Sequence, residues 1–329
     1  MTSPPTHSTD STDSTARLAK CFHALADNVE RVVKGKRDTV ELALICLFAE
    51  GHLLIEDVPG TGKTTLARCL AASIEADFAR VQFTPDLLPS DITGVTVYRQ
   101  NTGTFEFLPG PVFANIVLGD EINRASPKTQ SALLEVMEER RVTADGTAHP
   151  VPRPFMVLAT QNPVDMGGTY PLPEAQLDRF LMRITVGYPD HASEVAILTG
   201  TPTAPTPESL TPVTTAHEIA ELIASAGEVQ VADALYDYLV RVVAATRTLP
   251  DVRLGASPRG SVALLRAVRV RAASQSRPYA FPEDVKALAG PVLAHRLILT
   301  PEAELSGRTG TDVIDEVLAT VRLDSGARV

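Results

Sequence analysis

The stretch Pro59-Gly60-Thr61-Gly62-Lys63-Thr64 decides the fold of this 329-residue chain. It follows the apolar run Leu53–Ile55 and precedes Thr65–Ala72, a run of helix formers with an apolar face. A buried strand, a glycine-rich turn and a helix, in this order, are typical of a phosphate-binding loop. The glycines let the backbone wrap closely around phosphate oxygens, and the first N–H groups of the helix point at the anion. We therefore predict that Pro59 to Thr65 bind the phosphates of a nucleotide.

Two side chains of this loop carry specific chemistry. Lys63 is expected to supply a compact positive charge to the β- and γ-phosphates, and the Thr64 hydroxyl to coordinate Mg²⁺. One position departs from the strict formula GxxxxGK[ST], because Asp57 stands where the formula has glycine. The alternative is a glycine-rich turn between strand and helix that binds nothing.

The bulk composition is that of a globular protein, with 44% hydrophobic and 21% charged residues and a net charge of −10. An acidic chain has no global electrostatic attraction for nucleic acid, so nucleic-acid binding is not expected. Its three cysteines, Cys21, Cys46 and Cys69, form no CxxC pair and predict neither a zinc site nor a disulfide framework. The longest apolar run, Leu42–Ala49, is too short to cross a bilayer, and a cytoplasmic location is expected.

Strand-like apolar runs alternate with helical runs through the first part of the chain, after two amphipathic helices within Leu18–Ala49. The predicted strands are His52–Asp57, Arg80–Phe83, Asn115–Gly119, Phe155–Thr160 and Leu181–Gly187, and the predicted helices between them are Lys63–Ile74 and Lys128–Arg141. This alternation favours an α/β fold with a parallel sheet covered on both faces. Ligands of such doubly wound sheets bind at the carboxyl ends of the strands, where the glycine-rich loop lies.

Four segments follow from the changes in composition. Residues 1–15 are rich in Ser, Thr and Pro and predict a disordered tail. Residues 16–200 form the α/β core, and residues 201–213 are a proline-rich linker. Residues 214–329 show apolar side chains at helical spacing and predict a smaller, all-helical domain.

Two β-hairpins interrupt the α/β core. Gly94–Gln100 and Thr104–Leu108 alternate apolar and polar residues around Asn101-Thr102-Gly103, and a second pair of short strands surrounds the Asp145-Gly146 turn. These hairpins could decorate the surface, line a pore or contact a partner, and the sequence does not choose between these roles.

The parts needed for hydrolysis lie at the ends of later strands. The apolar run Ile116–Gly119 ends in Asp120 and Glu121. Asp120 is expected to hold the hydration shell of Mg²⁺ and Glu121 to polarise the attacking water. The alternative is an acidic pair at the start of the next helix. The next strand ends before Asn162, whose amide could touch both the γ-phosphate and the water; a turn-forming Asn before Pro is the alternative.

Two arginines could neutralise the charge that develops during phosphoryl transfer. Arg179 lies just before a predicted strand and is the candidate for an arginine finger that reaches a neighbouring subunit. Arg259 lies near the start of a helix in the second domain, from which domain closure could bring it to the phosphates. Surface arginines are common, so either could equally be an ordinary solvated residue.

At this point the chain closely resembles the AAA+ ATPases, and within them the MoxR family. The likeness is carried by five segments in family order: Gly51–Leu66 (GHLLIEDVPGTGKTTL), Gly119–Glu138 (GDEINRASPKTQSALLEVME), Ala159–Pro163 (ATQNP), Leu172–Phe180 (LPEAQLDRF) and Gly255–Leu264 (GASPRGSVAL). The resemblance implies a P-loop core with β-hairpin inserts followed by a small all-α lid domain. It also implies Walker A at Pro59–Thr64, Walker B at Leu118–Glu121, sensor 1 at Asn162, an arginine finger at Arg179 and sensor 2 at Arg259.

The resemblance also carries expectations about function. It implies ATP and Mg²⁺ as ligands, a hexameric ring with nucleotide held between subunits, and chaperone-like work in maturing protein complexes or inserting metal cofactors. A partner with a von Willebrand factor A domain and a protein client are expected on the same ground. The two hairpins correspond to the family's helix-2 insert, about Ile92–Pro109, and pre-sensor-1 insert, about Arg141–Arg153.

Two other classes of function stay open. A DNA-handling motor is possible because helix-2-insert relatives include replicative helicases, although the acidic balance counts against it. A nucleotide-gated scaffold would bind ATP with little hydrolysis. A GTPase is not favoured, because no guanine-reading NKxD-type motif follows the loop. Adenine is expected to pack near Val32, Val33 and Gly35.

Overall fold

The computed structural model describes residues 8–58, 60–162, 169–188, 191, 194–195 and 205–323, with side chains from residue 13 onward. Its central element is a five-stranded sheet, whose strands are β1 Leu53–Glu56, β2 Phe78–Gln82, β5 Ile116–Asp120, β8 Met156–Gln161 and β9 Met182–Ile184. The strand order in the sheet is β2-β5-β8-β1-β9. The pairs β1–β8, β2–β5 and β5–β8 are parallel, as the alternation of strands and helices predicts.

Helices and short strands connect the strands of the sheet. The helices up to β9 are α1 Ser8–Glu30, α2 Arg37–Phe48, α3 Lys63–Ile74, α4 Pro89–Thr93, α5 Pro127–Glu139 and α6 Glu174–Leu177. The predicted helix Lys63–Ile74 is confirmed residue for residue. Buried apolar residues from the sheet and from α5, among them Val81, Val117 and Leu133, form a common core.

Both predicted hairpins are present. β3 Gly94–Arg99 pairs antiparallel with β4 Thr104–Pro109, and β6 Arg141–Ala144 pairs with β7 Thr147–Pro150. The two hairpins contact each other, because the Phe107 ring stacks on the His149 ring with 4.2 Å between centroids. Tyr98 and Phe105 lie further along the first hairpin and are 55% and 76% exposed.

The chain divides into two compact units whose limits differ from those predicted. One unit comprises Ala24–Phe180 and Ile184–Ala220, and the other comprises the described residues of Met1–His23, Leu181–Arg183 and Glu221–Val329. The boundary after the sheet therefore falls at Ala220, not at residue 213, and residues 16–23 group with the second unit. The predicted limits were placed where the amino-acid composition changes along the chain, whereas the compact units are defined by contacts between distant segments.

The prediction of a disordered tail is wrong for residues 8–15, which belong to α1; residues 1–7 lie outside the described part. Thr15 is buried, with 2% exposure, and the helix continues into the buried Leu18 and Phe22. Acidic residues near the start of a helix are favoured by the helix dipole, so the polar composition of this segment is compatible with a first helical turn.

The linker prediction is also corrected where the structure describes it, from residue 205 onward. Pro207–Ser209 forms a 3₁₀ turn that packs on α3. The Val213 N–H donates to the Ser73 carbonyl oxygen at 2.9 Å, and Glu208 forms an ion pair with Arg68. Because its backbone and side chains are held by α3, this segment is part of the sheet-containing unit.

The second unit is mainly helical. Helix α7, Ala216–Gly227, begins in the sheet-containing unit and ends in this one. The helices that follow it are α8 Asp233–Ala245, α9 Pro258–Ser274, α10 Pro282–Leu293, α11 Pro301–Leu305 and α12 Gly310–Thr320. It also holds a short antiparallel pair, β10 Val252–Leu254 with β11 Ile298–Leu299, which the helical spacing did not predict. Among the described residues, no helix is long and apolar enough to span a lipid bilayer.

Candidate nucleotide site

The glycine-rich loop connects the end of β1 to the start of α3. Gly60 has φ +86° and Gly62 has φ +88°, a left-handed conformation that favours glycine. Open space lies where a side chain would begin at either residue, so the loop presents bare backbone to this space. The N-terminal turn of α3 follows at once, and its first N–H groups lack carbonyl partners within the helix. The loop therefore has the shape and the donors that phosphate oxygens require. Pro59 lies outside the described residues.

The Lys63 side chain is folded back over its own loop. Its Nζ donates hydrogen bonds to the carbonyl oxygens of Asp57 at 2.9 Å and Val58 at 2.8 Å. The Thr61 hydroxyl donates to the same Val58 oxygen at 3.3 Å. These carbonyl groups hold the ammonium group over the loop, where a phosphate could replace them as acceptors.

Asp57, the residue that departs from the glycine formula, anchors the loop. Its Oδ1 accepts from the Val58 N–H at 2.8 Å, and its Oδ2 accepts from the N–H groups of Val186 at 2.9 Å and Gly187 at 2.6 Å. Its exposure is only 9%. A glycine has no side chain to accept these hydrogen bonds. Asp57 therefore fixes the start of the loop to the segment after β9, whereas a glycine at this position would leave it flexible.

Asp120 and Glu121 lie at the carboxyl end of β5. Asp120 Oδ1 accepts from the Thr160 hydroxyl at 2.6 Å, and Asp120 Oδ2 forms an ion pair with Arg80 at 2.7 Å. The Glu121 N–H donates to the Thr160 oxygen at 2.9 Å. Thr160, at the end of the neighbouring strand β8, therefore holds the turn between the two acidic residues in place.

The Glu121 side chain has polar partners of its own. Its backbone adopts φ +57°, so the chain turns sharply after Asp120. Its Oε2 accepts from Gln82 Nε2 at 3.1 Å and lies 3.3 Å from Arg124 Nη1. An acceptor held in this way can take a proton or orient a water molecule at the cavity.

These parts surround one cavity of about 370 Å³. Its lining combines the loop and first helical turn with the ends of β5 and β8: Gly60, Thr61, Gly62, Lys63, Thr64, Thr65, Asp120, Glu121, Thr160 and Asn162. The oxygens of Thr64 and Asp120 at this cavity are of the hard type that Mg²⁺ prefers. The structure thus brings together every described residue predicted for the loop, for the acidic strand end and for Asn162.

Neither of the two predicted arginines is among the residues that line this cavity. Arg179 forms an ion pair with Glu138 of α5 at 3.0 Å. Arg259 belongs to the other compact unit, at the start of α9, where its N–H donates to the Ser257 hydroxyl at 3.1 Å. Their catalytic roles stay predictions.

Sequence reasoning missed four polar residues around the acidic pair: Arg80, Gln82, Arg124 and Thr160. A signal for the first two was available. They alternate on β2 and therefore share one face of the strand. The strand order that places β2 beside β5 was not available from the sequence, so their contacts with Asp120 and Glu121 could not be predicted.

Comparison with known proteins defines the class. Residues 52–182 match the family described as "ATPase family associated with various cellular activities (AAA)", and residues 244–317 match the AAA lid domain. A crystal structure of a protein from Cytophaga hutchinsonii, provisionally classed as an ATPase, superposes with a TM-score of 0.89 at 38% identity, covering 95% of this chain and 98% of that one. Fold, cavity and family match together place the chain among the AAA+ ATPases with a lid domain.

Individual relatives narrow this class. The chain is 49% identical to the uncharacterised protein YeaC of Bacillus subtilis over 90% of its length and 93% of that protein. It is 44% identical to chaperone MoxR1 of Mycobacterium tuberculosis, over 90% of its length and 80% of the relative. It is 33% identical to protein MoxR of Methylorubrum extorquens over 95% of its length and 96% of that protein. The chain belongs to the MoxR family of AAA+ ATPases.

Proposed function

We propose that this protein hydrolyses ATP to ADP and phosphate at the cavity between the glycine-rich loop and the end of β5, with Mg²⁺ as cofactor. One observation carries the proposal: the bare glycine backbone, Lys63 and the carboxylates of Asp120 and Glu121 line the same cavity. A site that only bound a phosphate would not need a second carboxylate. Glu121 supplies the general base that hydrolysis requires.

Each residue of the cavity has a role in this proposal. The phosphates are bound by the N–H groups of Gly60 to Thr65 and by the Lys63 ammonium group. To bind them, Lys63 exchanges its hydrogen bonds to the carbonyl oxygens of Asp57 and Val58 for hydrogen bonds to phosphate oxygens. Thr64 would hold Mg²⁺ directly and Asp120 through water. The metal ion would neutralise charge on the phosphate oxygens. Glu121 orients and polarises the attacking water, and the Asn162 amide fixes that water against the γ-phosphate.

Two further parts of the proposal rest on the family alone. Arg179 acts as an arginine finger on the nucleotide of a neighbouring subunit in a hexameric ring, which requires that it leave Glu138. Arg259 acts on the phosphates from the lid domain. Whether it acts within one subunit or across two is a question for mixed rings of wild-type and variant subunits.

The biological role we propose is chaperone-like remodelling of protein complexes, either in their maturation or in the insertion of a metal cofactor. One relative, chaperone MoxR1 of Mycobacterium tuberculosis, supports a chaperone role by its name. A protein client, a partner with a von Willebrand factor A domain and a cytoplasmic location stay predictions.

The test compares two variants of the cavity with two matched controls. Lys63→Ala is expected to abolish ATP binding, and Glu121→Gln to bind ATP while losing hydrolysis by about 10²-fold or more. The controls are Lys128→Ala and Glu135→Gln, which remove the same charges from exposed positions on α5. Binding is measured by calorimetry with Mg-ATP and hydrolysis by phosphate release.

The outcomes separate the competing functions. Normal phosphate release by Glu121→Gln would remove Glu121 from the mechanism. Negligible turnover by assembled wild-type rings that bind ATP tightly would favour a nucleotide-gated scaffold. Salt-sensitive DNA binding that stimulates turnover would favour a DNA-handling motor.

A further inference from the structure

Both carboxylate oxygens of Asp120 already have partners in the structure. Oδ1 accepts from the Thr160 hydroxyl, and Oδ2 lies 2.7 Å from Arg80 Nη2. The proposed function assigns Asp120 to the hydration shell of Mg²⁺. The Arg80 guanidinium group therefore occupies a carboxylate oxygen that a water molecule bound to Mg²⁺ would use.

The two partners of Asp120 differ in their exposure. The Asp120 side chain is 12% exposed and Thr160 is 1% exposed, so their hydrogen bond is part of the interior. The Arg80 side chain is 49% exposed. A half-exposed guanidinium group can return to water at little cost, because water solvates it well and ion pairs of this exposure are weak. The Arg80 contact is thus the one that can be exchanged.

Arg80 also connects the two acidic residues. Its Nη2 lies 3.2 Å from the Gln82 side-chain oxygen, and Gln82 Nε2 donates to Glu121 Oε2 at 3.1 Å. Register explains this geometry, since Gln82 stands opposite Asp120 and Arg80 stands opposite Leu118 on the parallel neighbour β5. Two alternate residues of β2 therefore contact both carboxylates of the proposed site.

We propose that Arg80 is a positioning residue that competes with Mg²⁺ for Asp120, and so sets the Mg²⁺ concentration that nucleotide binding requires. The inference rests on the proposed function, because it needs a nucleotide that binds together with Mg²⁺. In the absence of metal, Arg80 holds the Asp120 carboxylate in place and offsets its charge. With Mg²⁺ bound, Arg80 would leave Asp120 Oδ2 and would also give up its hydrogen bond to the Gln82 side-chain oxygen.

The plain alternative is an ion pair that only stabilises β2 against β5. Both accounts predict that removing Arg80 lowers stability to some degree. They differ in the effect on Mg²⁺, since a pair that only holds β2 against β5, without competing for Asp120 Oδ2, has no reason to change the half-saturating Mg²⁺ concentration. That concentration is therefore the quantity to measure.

The experiment titrates Mg²⁺ against the full-length protein with N-methylanthraniloyl-ADP at a fixed concentration and follows its fluorescence, which does not depend on turnover. Arg80→Gln removes the charge and is expected to lower the half-saturating Mg²⁺ concentration about five-fold. Arg80→Lys keeps a cation and is expected to stay within about two-fold of wild type. The control is Arg99→Gln, which removes an arginine of similar exposure from its ion pair with Glu106 on the first hairpin and is expected to leave the half-saturating Mg²⁺ concentration unchanged.

Each outcome either supports or overturns the competition between Arg80 and Mg²⁺ for Asp120. An unchanged or higher half-saturating Mg²⁺ concentration in Arg80→Gln, with a lower melting temperature, would show that the pair is structural and would overturn the inference. Arg80→Met serves in the same way if Arg80→Gln does not fold. If wild-type protein fails to bind the fluorescent nucleotide at any Mg²⁺ concentration, the proposed function itself fails, which is a different result from an Arg80 variant that behaves like wild type.

Discussion

The anchor at Asp57 offers a quantitative test of how the loop is held. The perturbation is Asp57→Ala, which removes the acceptor of the N–H groups of Val186 and Gly187 at 2.9 and 2.6 Å. Val186 is buried and Gly187 is half-buried, so water replaces the lost acceptor only in part. Asp57→Asn keeps the shape but has only one accepting oxygen.

The magnitude follows from these two long-range hydrogen bonds. A hydrogen bond to an ionised group contributes about 1.5–3 kcal/mol, and a buried N–H without an acceptor costs about 1–3 kcal/mol. Since Gly187 can still reach water, we expect Asp57→Ala to lose about 2–4 kcal/mol of unfolding free energy. For a unit of about 200 residues this corresponds to a fall in melting temperature of about 4–16 °C. Asp57→Asn is expected to lose about half as much.

The assay is differential scanning calorimetry of the full-length protein, which measures the melting temperature of each variant. Asp315→Asn, at an exposed position of α12, is the control for the loss of one negative charge. If Asp57→Ala melts within about 1 °C of wild type, the two hydrogen bonds do not stabilise the loop, and the reasoning from their geometry is wrong.

Three further predictions concern other parts of the molecule. Burial, and then the charge of Arg140, lower the pKa of His52 to about 3 from 6.5, so only the unfolded chain takes up this proton between those pH values. Wild-type stability should therefore decrease, as the pH falls through this window, by at most about 1.4 kcal/mol per pH unit. His52→Gln has no such loss, so the higher urea midpoint expected of wild type at neutral pH, from the hydrogen bonds of His52, should approach that of the variant as the pH falls. Burial raises the pKa of the Cys46 thiol and raises that of Cys69 to about 12, so neither should react with Ellman's reagent before unfolding, and fast labelling of either would contradict the packing. Arg179→Ala should lower ATP turnover on the order of 10³-fold while Mg-ATP binding by calorimetry persists, and wild-type turnover by the variant would exclude the finger.

Local patterns predicted much of the fold. The helix Lys63–Ile74 and the order of strands and helices follow from runs of apolar residues and from the glycine-rich turn, which act over a few residues. The two hairpins were visible for the same reason, since Asn101-Thr102-Gly103 and Asp145-Gly146 are local turn signals. Predicted strand limits differ by one to a few residues, because strand ends depend on the pairing of neighbours.

The errors lie where distant segments decide. The polar start of the chain predicts disorder, but a helix that begins at Ser8 continues into a buried stretch. The proline-rich segment predicts a linker, but its part from residue 205 onward packs on α3. The composition of a segment indicates whether it would be ordered in isolation. Burial against another element supplies the free energy that orders it in the folded protein.

The sequence by itself determined the class of protein, the loop that can hold phosphates and the two carboxylates at the end of a later apolar strand, β5. Only the tertiary structure decided how these groups are held: Asp57 by backbone N–H groups 129 and 130 residues away, and Asp120 by Arg80 and Thr160, each 40 residues away. The physical reason is that a motif encodes local backbone shape, which nearby residues dictate. The partners of a buried carboxylate depend on which strands lie side by side and in which register, and the packing of the whole sheet selects both.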